Sequence, residues 1–223
     1  MQLAPLGDTA VVMTLGNVIK ETTLNRVRDL AAHLERNPPP GVVEVVPAFG
    51  AVTVYYDPVH SQDFAALCEE LRRCAERIKP AKGREPRTLT VPVCYGGEFG
   101  PDLAAVAAKA RLSEAAVIAL HAKPRYWVQA VGFAPGFPYL GKLPAKLHMP
   151  RHATPRVRVE AGSVGIGGEL TGIYPAASPG GWQIIGRTPL NLFRPEADEP
   201  ALLHMGDRVR FKPVSREEFA AWK

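Results

Sequence analysis

Cysteine is scarce in this sequence, and the patterns through which it usually acts are missing. The 223 residues include 3 cysteines, Cys68, Cys74 and Cys94. They are odd in number, lack CxxC spacing and have no histidine nearby, so neither a disulfide framework nor a zinc knuckle is predicted. We interpret them as buried free thiols and expect no metal site.

Long apolar runs are also lacking, and the basic residues are not clustered in the sequence. No run of about 18 apolar residues is present, and the first five residues lack the basic-then-apolar layout of a signal peptide. We therefore expect a cytoplasmic protein with no membrane partner. The net charge of +5 would permit an anionic partner. Because the basic residues are dispersed and not interleaved with aromatics, nucleic acid is not expected.

The 46% hydrophobic content is enough to build one large or two modest domains. A polar stretch containing proline and glycine, residues 79–86, divides the sequence. Upstream, the periodicity predicts strand, helix, strand, strand and helix at residues 9–15, 21–36, 42–46, 51–56 and 61–78, with Ser61 capping the second helix. This order predicts a small two-layer α+β domain over residues 1–80.

The second half has a different pattern. The strand at residues 88–94 is assigned to it because the linker precedes that strand. A helical patch follows at residues 101–121, with Pro101 in its first turn and Ser113 as a second cap. Short strands are then predicted at residues 126–131, 156–160, 163–166, 182–185 and 207–212. Such strands, separated by glycine and proline, predict a closed or nearly closed β-barrel over residues 86–223.

One segment combines three glycines, two prolines and three aromatic residues: GFAPGFPYLG, residues 132–141. Glycine permits backbone angles closed to other residues, and proline fixes φ and removes an amide donor. The segment therefore should not continue a helix or a central strand. We predict a shaped loop that walls a site, with Phe133, Phe137 and Tyr139 as its large side chains.

Two apparent nucleotide motifs are rejected. Residues 136–142 fit the first seven positions of a P-loop, but Leu143 stands where Ser or Thr should hold magnesium, and Pro138 removes a cradling amide. The glycines at residues 165–168 lack the helix that a dinucleotide fingerprint requires.

Catalytic motifs are equally weak. His148 and His152 are four apart, but Pro150 interrupts the helix that would pair them as metal ligands, so two loop histidines are expected. Ser163 falls one residue short of a G-x-S-x-G elbow and begins a predicted strand, so a structural serine is favoured over a nucleophile. No catalytic residue is assigned.

A second glycine-rich segment, SPGGW at residues 178–182, precedes GRTPL at residues 186–190. Arg187 stands where the chain turns sharply, so its guanidinium could bind a carboxylate or phosphate through two hydrogen bonds. Arg156 is a comparable candidate. The alternative is that each arginine pairs with an acidic side chain at the barrel rim, and for any single arginine this alternative is favoured.

These segments, together with TPR at 154–156, AGSVGI at 161–166 and TGIYP at 171–175, resemble the KipI family, which is also known as allophanate hydrolase subunit 1 and includes the B subunits of 5-oxoprolinase. The resemblance runs from residue 5 to residue 213. It implies an α+β fold class, with a small N-terminal domain followed by a cyclophilin-like β-barrel.

The resemblance also implies the B subunit of a bacterial 5-oxoprolinase, which acts with an A subunit and a C subunit. ATP, the cofactor of that complex, phosphorylates the unreactive lactam carbonyl of 5-oxo-L-proline, and water opens the ring to L-glutamate. Whether this chain binds ATP itself stays open, and the chain alone is expected to be inactive. The alternatives are an inhibitor that binds a sensor histidine kinase, a component of a urea-carboxylase or allophanate-type enzyme, and a scaffold for the C subunit.

Under this interpretation, a small anionic amide substrate would lie against the aromatic residues, Arg156 and Arg187 would neutralise its charge, and glycines would expose backbone amides. The full predicted set of substrate-binding residues is Phe133, Pro135, Gly136, Phe137, Tyr139, Arg156, Gly162, Ser163, Thr171, Ser178, Gly180, Gly181, Trp182 and Arg187. One departure from the family pattern is Leu170, which replaces a glutamine. If that glutamine binds substrate, its loss costs about 0.5–1.5 kcal/mol, which does not exclude the reaction.

Overall fold

The computed structural model describes residues 1–17, 20–61, 63–78 and 86–222. The chain forms two compact units, residues 1–85 and 86–223. Apart from Pro86, the linker predicted at residues 79–86 lies outside the described residues. Among the helices of the described ranges, none is both long and apolar enough to cross a membrane.

The first unit is an antiparallel sheet with two helices. Its elements are β1 (Gln2–Pro5), β2 (Ala10–Thr14), α1 (Glu21–Arg36), β3 (Val42–Ala48), β4 (Ala51–Tyr56) and α2 (Phe64–Arg77). The strand order is β1-β2-β4-β3, and α1 packs against β3, β4 and α2. The predicted two-layer α+β arrangement is confirmed. Strand β1 is not predicted from the sequence, because a four-residue strand without a fully buried side chain gives almost no periodic signal.

The two helices of this unit differ in how well the sequence locates them. α1 begins and ends where predicted, because its apolar residues recur at helical spacing and are all buried: Leu24, Val27, Leu30, Ala31 and Leu34. The predicted cap of α2 is wrong. Asp63 caps this helix, and its carboxylate accepts a hydrogen bond from the Ala66 amide at 2.9 Å. Ser61 lies two residues earlier.

The second unit is a closed barrel, as predicted, and its described residues form seven barrel strands. Its barrel strands are β5 (Thr88–Tyr95), β6 (Tyr126–Val131), β7 (Pro138–Gly141), β9 (Ser163–Gly167), β10 (Leu170–Ile173), β12 (Gln183–Arg187) and β13 (Arg208–Pro213). Around the barrel the order is β10-β7-β6-β13-β5-β12-β9, and β9 pairs with β10 to close it. Neighbours are antiparallel except β5 and β13, which are parallel. The strand predicted at residues 156–160 does not belong to the barrel as expected, because β8 (Arg156–Val159) pairs with β11 (Ser178–Gly180) in a separate ribbon.

Three α-helices accompany the barrel in the described part of the second unit. The patch predicted at residues 101–121 is two helices, α3 (Leu103–Ala110) and α4 (Glu114–Ala122). The Ser113 cap is confirmed, since its hydroxyl accepts from the Ala116 amide at 3.2 Å. Pro101 is not in the first turn as predicted, because it precedes Asp102, which is the N-cap residue of α3. A short helix that was not predicted, α5 (Arg216–Ala220), contacts β5.

The expectation that residues 132–141 are loop throughout is wrong for their second half. Residues 138–141 form β7, which pairs with β6 and β10 inside the barrel wall. Pro138 is the first residue of this strand, a position where a missing amide hydrogen is tolerated. The aromatic segment is therefore a short turn followed directly by a barrel strand, and the barrel fixes its position.

The cysteines are only partly as predicted. Cys94 is buried, whereas Cys68 and Cys74 are half-buried on α2. Burial raises the pKa of all three thiols above the usual value. Protonated thiols are weak nucleophiles, so none of the three has the character of a reactive cysteine.

Candidate functional site

A tight turn presents the aromatic residues at the end of β6. In the segment Ala134-Pro135-Gly136-Phe137, the Phe137 amide donates to the Ala134 carbonyl at 3.0 Å. Proline at the second position and glycine with a φ of 80° at the third are the residues that a type II turn requires. Immediately before it, Phe133 has a φ of 73°, which is unusual for a residue with a side chain. The turn thereby places Phe133 and Phe137 close together.

Five aromatic rings meet around Phe137. Its ring centroid lies 5.5 Å from Phe133, 4.9 Å from Tyr139, 5.2 Å from Tyr174 and 5.5 Å from Trp182. Most of these pairs are edge-to-face, an arrangement that aromatic quadrupoles favour. Phe137, Tyr174 and Trp182 are buried, whereas the Phe133 side chain is 66% exposed. We call these five residues the aromatic cluster.

Two glycines of the barrel wall leave the space that Trp182 occupies. A Cβ atom on Gly167 would lie 2.7 Å from ring carbons of Trp182, and one on Gly172 would lie 3.0 Å from both the Phe137 and Trp182 rings. Any larger residue would push the rings outward. The repeated glycines of β9 and β10 thus serve close packing of rings on backbone, a role that glycine alone can fill here.

The aromatic cluster lines a pocket of about 250 Å³. The other lining residues are Arg151, Pro155, Pro179, Gly180 and Gly181. Among these described residues none carries a carboxylate, imidazole, thiol or ammonium group. The pocket therefore offers apolar ring surface, the phenols of Tyr139 and Tyr174 and one guanidinium, a composition suited to binding a small planar molecule.

Arg151 is the charged group of this pocket. Its guanidinium carbon lies 6.0 Å from the centroid of the Trp182 ring, within the range of a cation–π contact. It is not among the residues predicted from the sequence. It stands in an irregular segment between Pro150 and His152, and no motif or periodicity marks a residue that reaches the site through tertiary folding alone.

Arg156 lies elsewhere, in a second cavity of about 160 Å³ that Phe99, Ser163 and Arg187 also line. Its guanidinium donates to Asp102 at 2.6 Å and lies 2.8 Å from the His152 ring nitrogen. Arg156 is thus engaged by an acidic partner, which is the alternative favoured from the sequence for any single arginine.

Asp102 anchors this second cavity. One carboxylate oxygen accepts from Arg156 and the other from the Ile184 amide at 2.6 Å. Burial alone would raise its pKa, but the hydrogen bonds from Arg156, the Ile184 amide and His152 outweigh that effect and hold the pKa below its usual value. The carboxylate is therefore ionised at neutral pH, and it ties α3 to both β8 and β12.

Arg187 also contributes to the second cavity instead of the aromatic pocket. Its Nε donates to the Ala161 carbonyl at 2.7 Å. Arg158 and Glu160, which form an ion pair at 2.6 Å, stand beside it. The single site expected from the sequence, with Arg156 and Arg187 facing the aromatic residues, is therefore divided between two cavities. The roles of these two arginines in substrate binding stay predictions.

The remaining predicted residues have varied positions. Gly180 and Gly181 line the aromatic pocket, whereas the Gly162 amide, expected to be exposed, already donates to the Tyr174 carbonyl at 2.7 Å. Thr171 is buried, and its hydroxyl donates to the Gly165 carbonyl at 2.9 Å. Ser178 is half-buried in β11. Ser163 is buried at the start of β9, as predicted for a structural residue.

Leu170 stands at the edge of the aromatic cluster. It is partly buried and packs against the group of residues that includes Phe137, Tyr174 and Trp182. At this position an apolar side chain extends the ring surface, whereas the family's glutamine would place an amide there. The departure noted in the sequence therefore lies beside the pocket.

Comparison with known proteins gives the chain a family. The model for the carboxyltransferase domain, subdomain C and D, matches residues 1–203. The B subunit of 5-oxoprolinase from Escherichia coli O157:H7 is 49% identical over 208 residues, which cover 93% of this chain and 94% of the relative. The B subunit of 5-oxoprolinase from Bacillus subtilis is 42% identical over 231 residues, which cover 100% of this chain and 96% of the relative.

Among solved structures, that of TTHA0988 is similar, with a TM-score of 0.80 and 39% identity. The match covers 92% of this chain and 40% of TTHA0988, so this chain corresponds to less than half of that protein. The resemblance inferred from the motifs is confirmed by sequence and by fold. The chain belongs to the carboxyltransferase-domain family of subdomains C and D, whose bacterial relatives include the B subunits of 5-oxoprolinase.

Proposed function

We propose that this chain is the B subunit of an ATP-dependent 5-oxoprolinase and acts with the A and C subunits to hydrolyse 5-oxo-L-proline to L-glutamate. Similarity over nearly the full length of two relatives named for that activity supports the proposal. The observation that carries it in the structure is the aromatic pocket. At about 250 Å³ it is slightly smaller than sites for drug-sized molecules, which suits a five-membered lactam.

In this proposal the pocket binds the substrate and the other subunits supply the reacting groups. Among the described residues that line the pocket, the phenols of Tyr139 and Tyr174 are the only groups that could exchange a proton with a substrate, and no carboxylate or imidazole is present. The rings of the aromatic cluster would cover both faces of the lactam and exclude water from it, while one side stays open to a partner. This division of labour explains why the chain alone should be inactive.

ATP is needed because amide resonance makes the lactam carbonyl a poor electrophile. The net reaction consumes one ATP and two water molecules and yields glutamate, ADP and phosphate. We assign the nucleotide to the partner proteins of the complex. The segment that superficially fits a P-loop, residues 136–142, runs from a turn into β7 and is followed by a three-residue 3-10 helix, Ala145–Leu147, instead of the α-helix that a P-loop requires.

The test is reconstitution from purified proteins. We expect no glutamate from this chain alone and ATP-dependent release of glutamate when the A and C subunits are added. Equal activity of those two without this chain would contradict the proposal, and so would a mixture of all three that leaves 5-oxo-L-proline intact.

A second assay separates a role in binding from that of a scaffold that only stabilises the C subunit. The variant Arg187→Ala removes the guanidinium from the second cavity, and the neighbouring ion pair of Arg158 and Glu160 stays in place. A correctly assembled complex with reduced turnover would assign this cavity to the site. Unchanged turnover would exclude Arg187 from substrate binding and would favour the scaffold.

A further inference from the structure

The backbone of Arg151 is held in place by hydrogen bonds of its neighbours, whereas its side chain is available for binding. Its side chain is exposed and contacts the Trp182 ring, and among the described residues it has no hydrogen-bond or ion-pair partner. By contrast, Arg156 pairs with Asp102, and Arg158 pairs with Glu160. Arg151 is therefore a cation of the aromatic pocket whose donors are available to a ligand.

The backbone around Arg151 is held at three points. Met149 and Gly168 exchange amide hydrogen bonds in both directions, at 3.3 and 2.7 Å. The Pro150 carbonyl accepts from the Gln183 side chain at 3.0 Å, and the His152 amide donates to the Gly181 carbonyl at 2.7 Å. The loop cannot swing away from the pocket without breaking these bonds. A preorganised donor loses less conformational entropy when it binds.

We propose that Arg151 binds the carboxylate of the substrate and selects anionic lactams over neutral ones. This inference rests on the proposed function. The planar guanidinium presents two parallel N–H groups that match a carboxylate, and it stands over the Trp182 ring among the residues that line the pocket. The ring of 5-oxo-L-proline then lies against the aromatic cluster, with its carboxylate on Arg151 and its lactam carbonyl directed away from this cation.

The assignment makes Arg151 a specificity-determining residue and gives it no part in bond breaking. Its loss should therefore affect KM far more than kcat. The expected increase in KM is about ten- to a hundredfold, the range for losing one hydrogen bond between charged groups. A neutral lactam with the same ring, 2-pyrrolidinone, makes no such contact and should not be affected.

The experiment compares four proteins in the complete complex: wild type, Arg151→Gln, Arg151→Lys and the control Arg210→Gln, which changes an exposed arginine of β13. Arg151→Gln should raise the KM for 5-oxo-L-proline by about ten- to a hundredfold. Arg151→Lys should recover part of the loss, and Arg210→Gln should match wild type. Wild type and Arg151→Gln should bind 2-pyrrolidinone equally, as measured by competition.

A KM for Arg151→Gln within about twofold of wild type would overturn the inference, as would an equal loss of 2-pyrrolidinone affinity, even if the complex is an active 5-oxoprolinase. If the wild-type complex releases no glutamate, the proposed function is contradicted and Arg151 needs a separate test. Arg151 is then judged by titrating the intrinsic tryptophan fluorescence, to which Trp182 in the pocket contributes, with 5-oxo-L-proline. Quenching that Arg151→Gln abolishes supports the carboxylate contact, and no quenching, or equal quenching in both proteins, rejects it.

Discussion

Phe133 combines two features that rarely occur together, an exposed ring and a left-handed backbone. Its side chain is 66% exposed and its φ is 73°. A side-chain residue in this region costs about 1–3 kcal/mol of strain. The ring gains little from burial, although it makes edge contacts with Phe137 and Tyr174 at 5.5 and 6.5 Å. Stability therefore does not account for phenylalanine here, and we propose that its ring serves binding.

Replacing Phe133 should separate binding from stability. We expect Phe133→Gly to weaken binding of 5-oxo-L-proline several-fold without lowering the free energy of unfolding, because glycine adopts a φ of 73° without strain. Phe133→Ala removes the same ring but keeps the strain, so it should bind equally weakly and be less stable than Phe133→Gly. Urea unfolding and substrate titration measure the two effects. A large loss of stability in Phe133→Gly would show that the ring is structural.

At the scale of single residues, the sequence indicates the aromatic cluster but not Arg151, the cation of the same pocket. Phe133, Phe137 and Trp182 stand in segments dense in glycine and proline, and such composition alone indicates a shaped backbone. Arg151 has no such mark. It reaches the pocket because hydrogen bonds with Gly168, Gln183 and Gly181 position its segment, and those contacts span up to 33 positions in the chain.

At the scale of elements, periodicity predicts the helices well and the barrel strands only in part. α1 is located to the residue because it presents one continuous apolar face. β7, β10 and β11 are not predicted, because the proline and glycine within them indicate breaks in the chain. These three segments have a weak local preference for strand structure, and pairing with other strands compensates for it. β7 and β10 each pair with a barrel strand on both sides, and β11 pairs with β8 in the ribbon.

The start of α2 allows a matched pair of substitutions. Asp63→Ala removes the carboxylate that accepts from the Ala66 amide and should destabilise α2 by about 1 kcal/mol. Ser61→Ala should be neutral or slightly stabilising, because the Ser61 hydroxyl is buried without a hydrogen-bond partner among the described residues. Amide hydrogen exchange in α2 reports both effects, with faster exchange expected in Asp63→Ala only. Faster exchange in Ser61→Ala instead would restore Ser61 as the cap.

At the scale of the whole molecule, the barrel contains a buried histidine that makes its stability depend on pH. His121 is fully buried and stacks on Phe211 at 4.6 Å. The Thr171 hydroxyl donates to the Gly165 carbonyl, so it must accept the proton of His121 Nε2 at 2.9 Å. The Tyr95 hydroxyl then donates to Nδ1 at 2.8 Å. The imidazole is thus neutral, with its proton on Nε2.

Burial lowers the pKa of His121 from 6.5 to about 3. Between these values the unfolded chain binds a proton that the folded chain does not, so acid favours unfolding by about 1.4 kcal/mol per pH unit. The stability contributed by the neutral imidazole is complete above pH 6.5 and is lost as the pH falls toward 3.

A comparison of wild type with His121→Gln isolates this effect, because glutamine can hydrogen-bond but does not titrate. At pH 7 the wild type should be more stable, and its advantage should shrink by about 3 kcal/mol by about pH 4. All three tryptophans, at positions 127, 182 and 222, lie in the second unit, so their fluorescence follows its unfolding. Tyr95→Phe keeps the imidazole and should retain the wild-type slope. A constant difference between wild type and His121→Gln over this pH range would mean that His121 binds a proton in the folded barrel at the same pH as in the unfolded chain, and that burial does not lower its pKa.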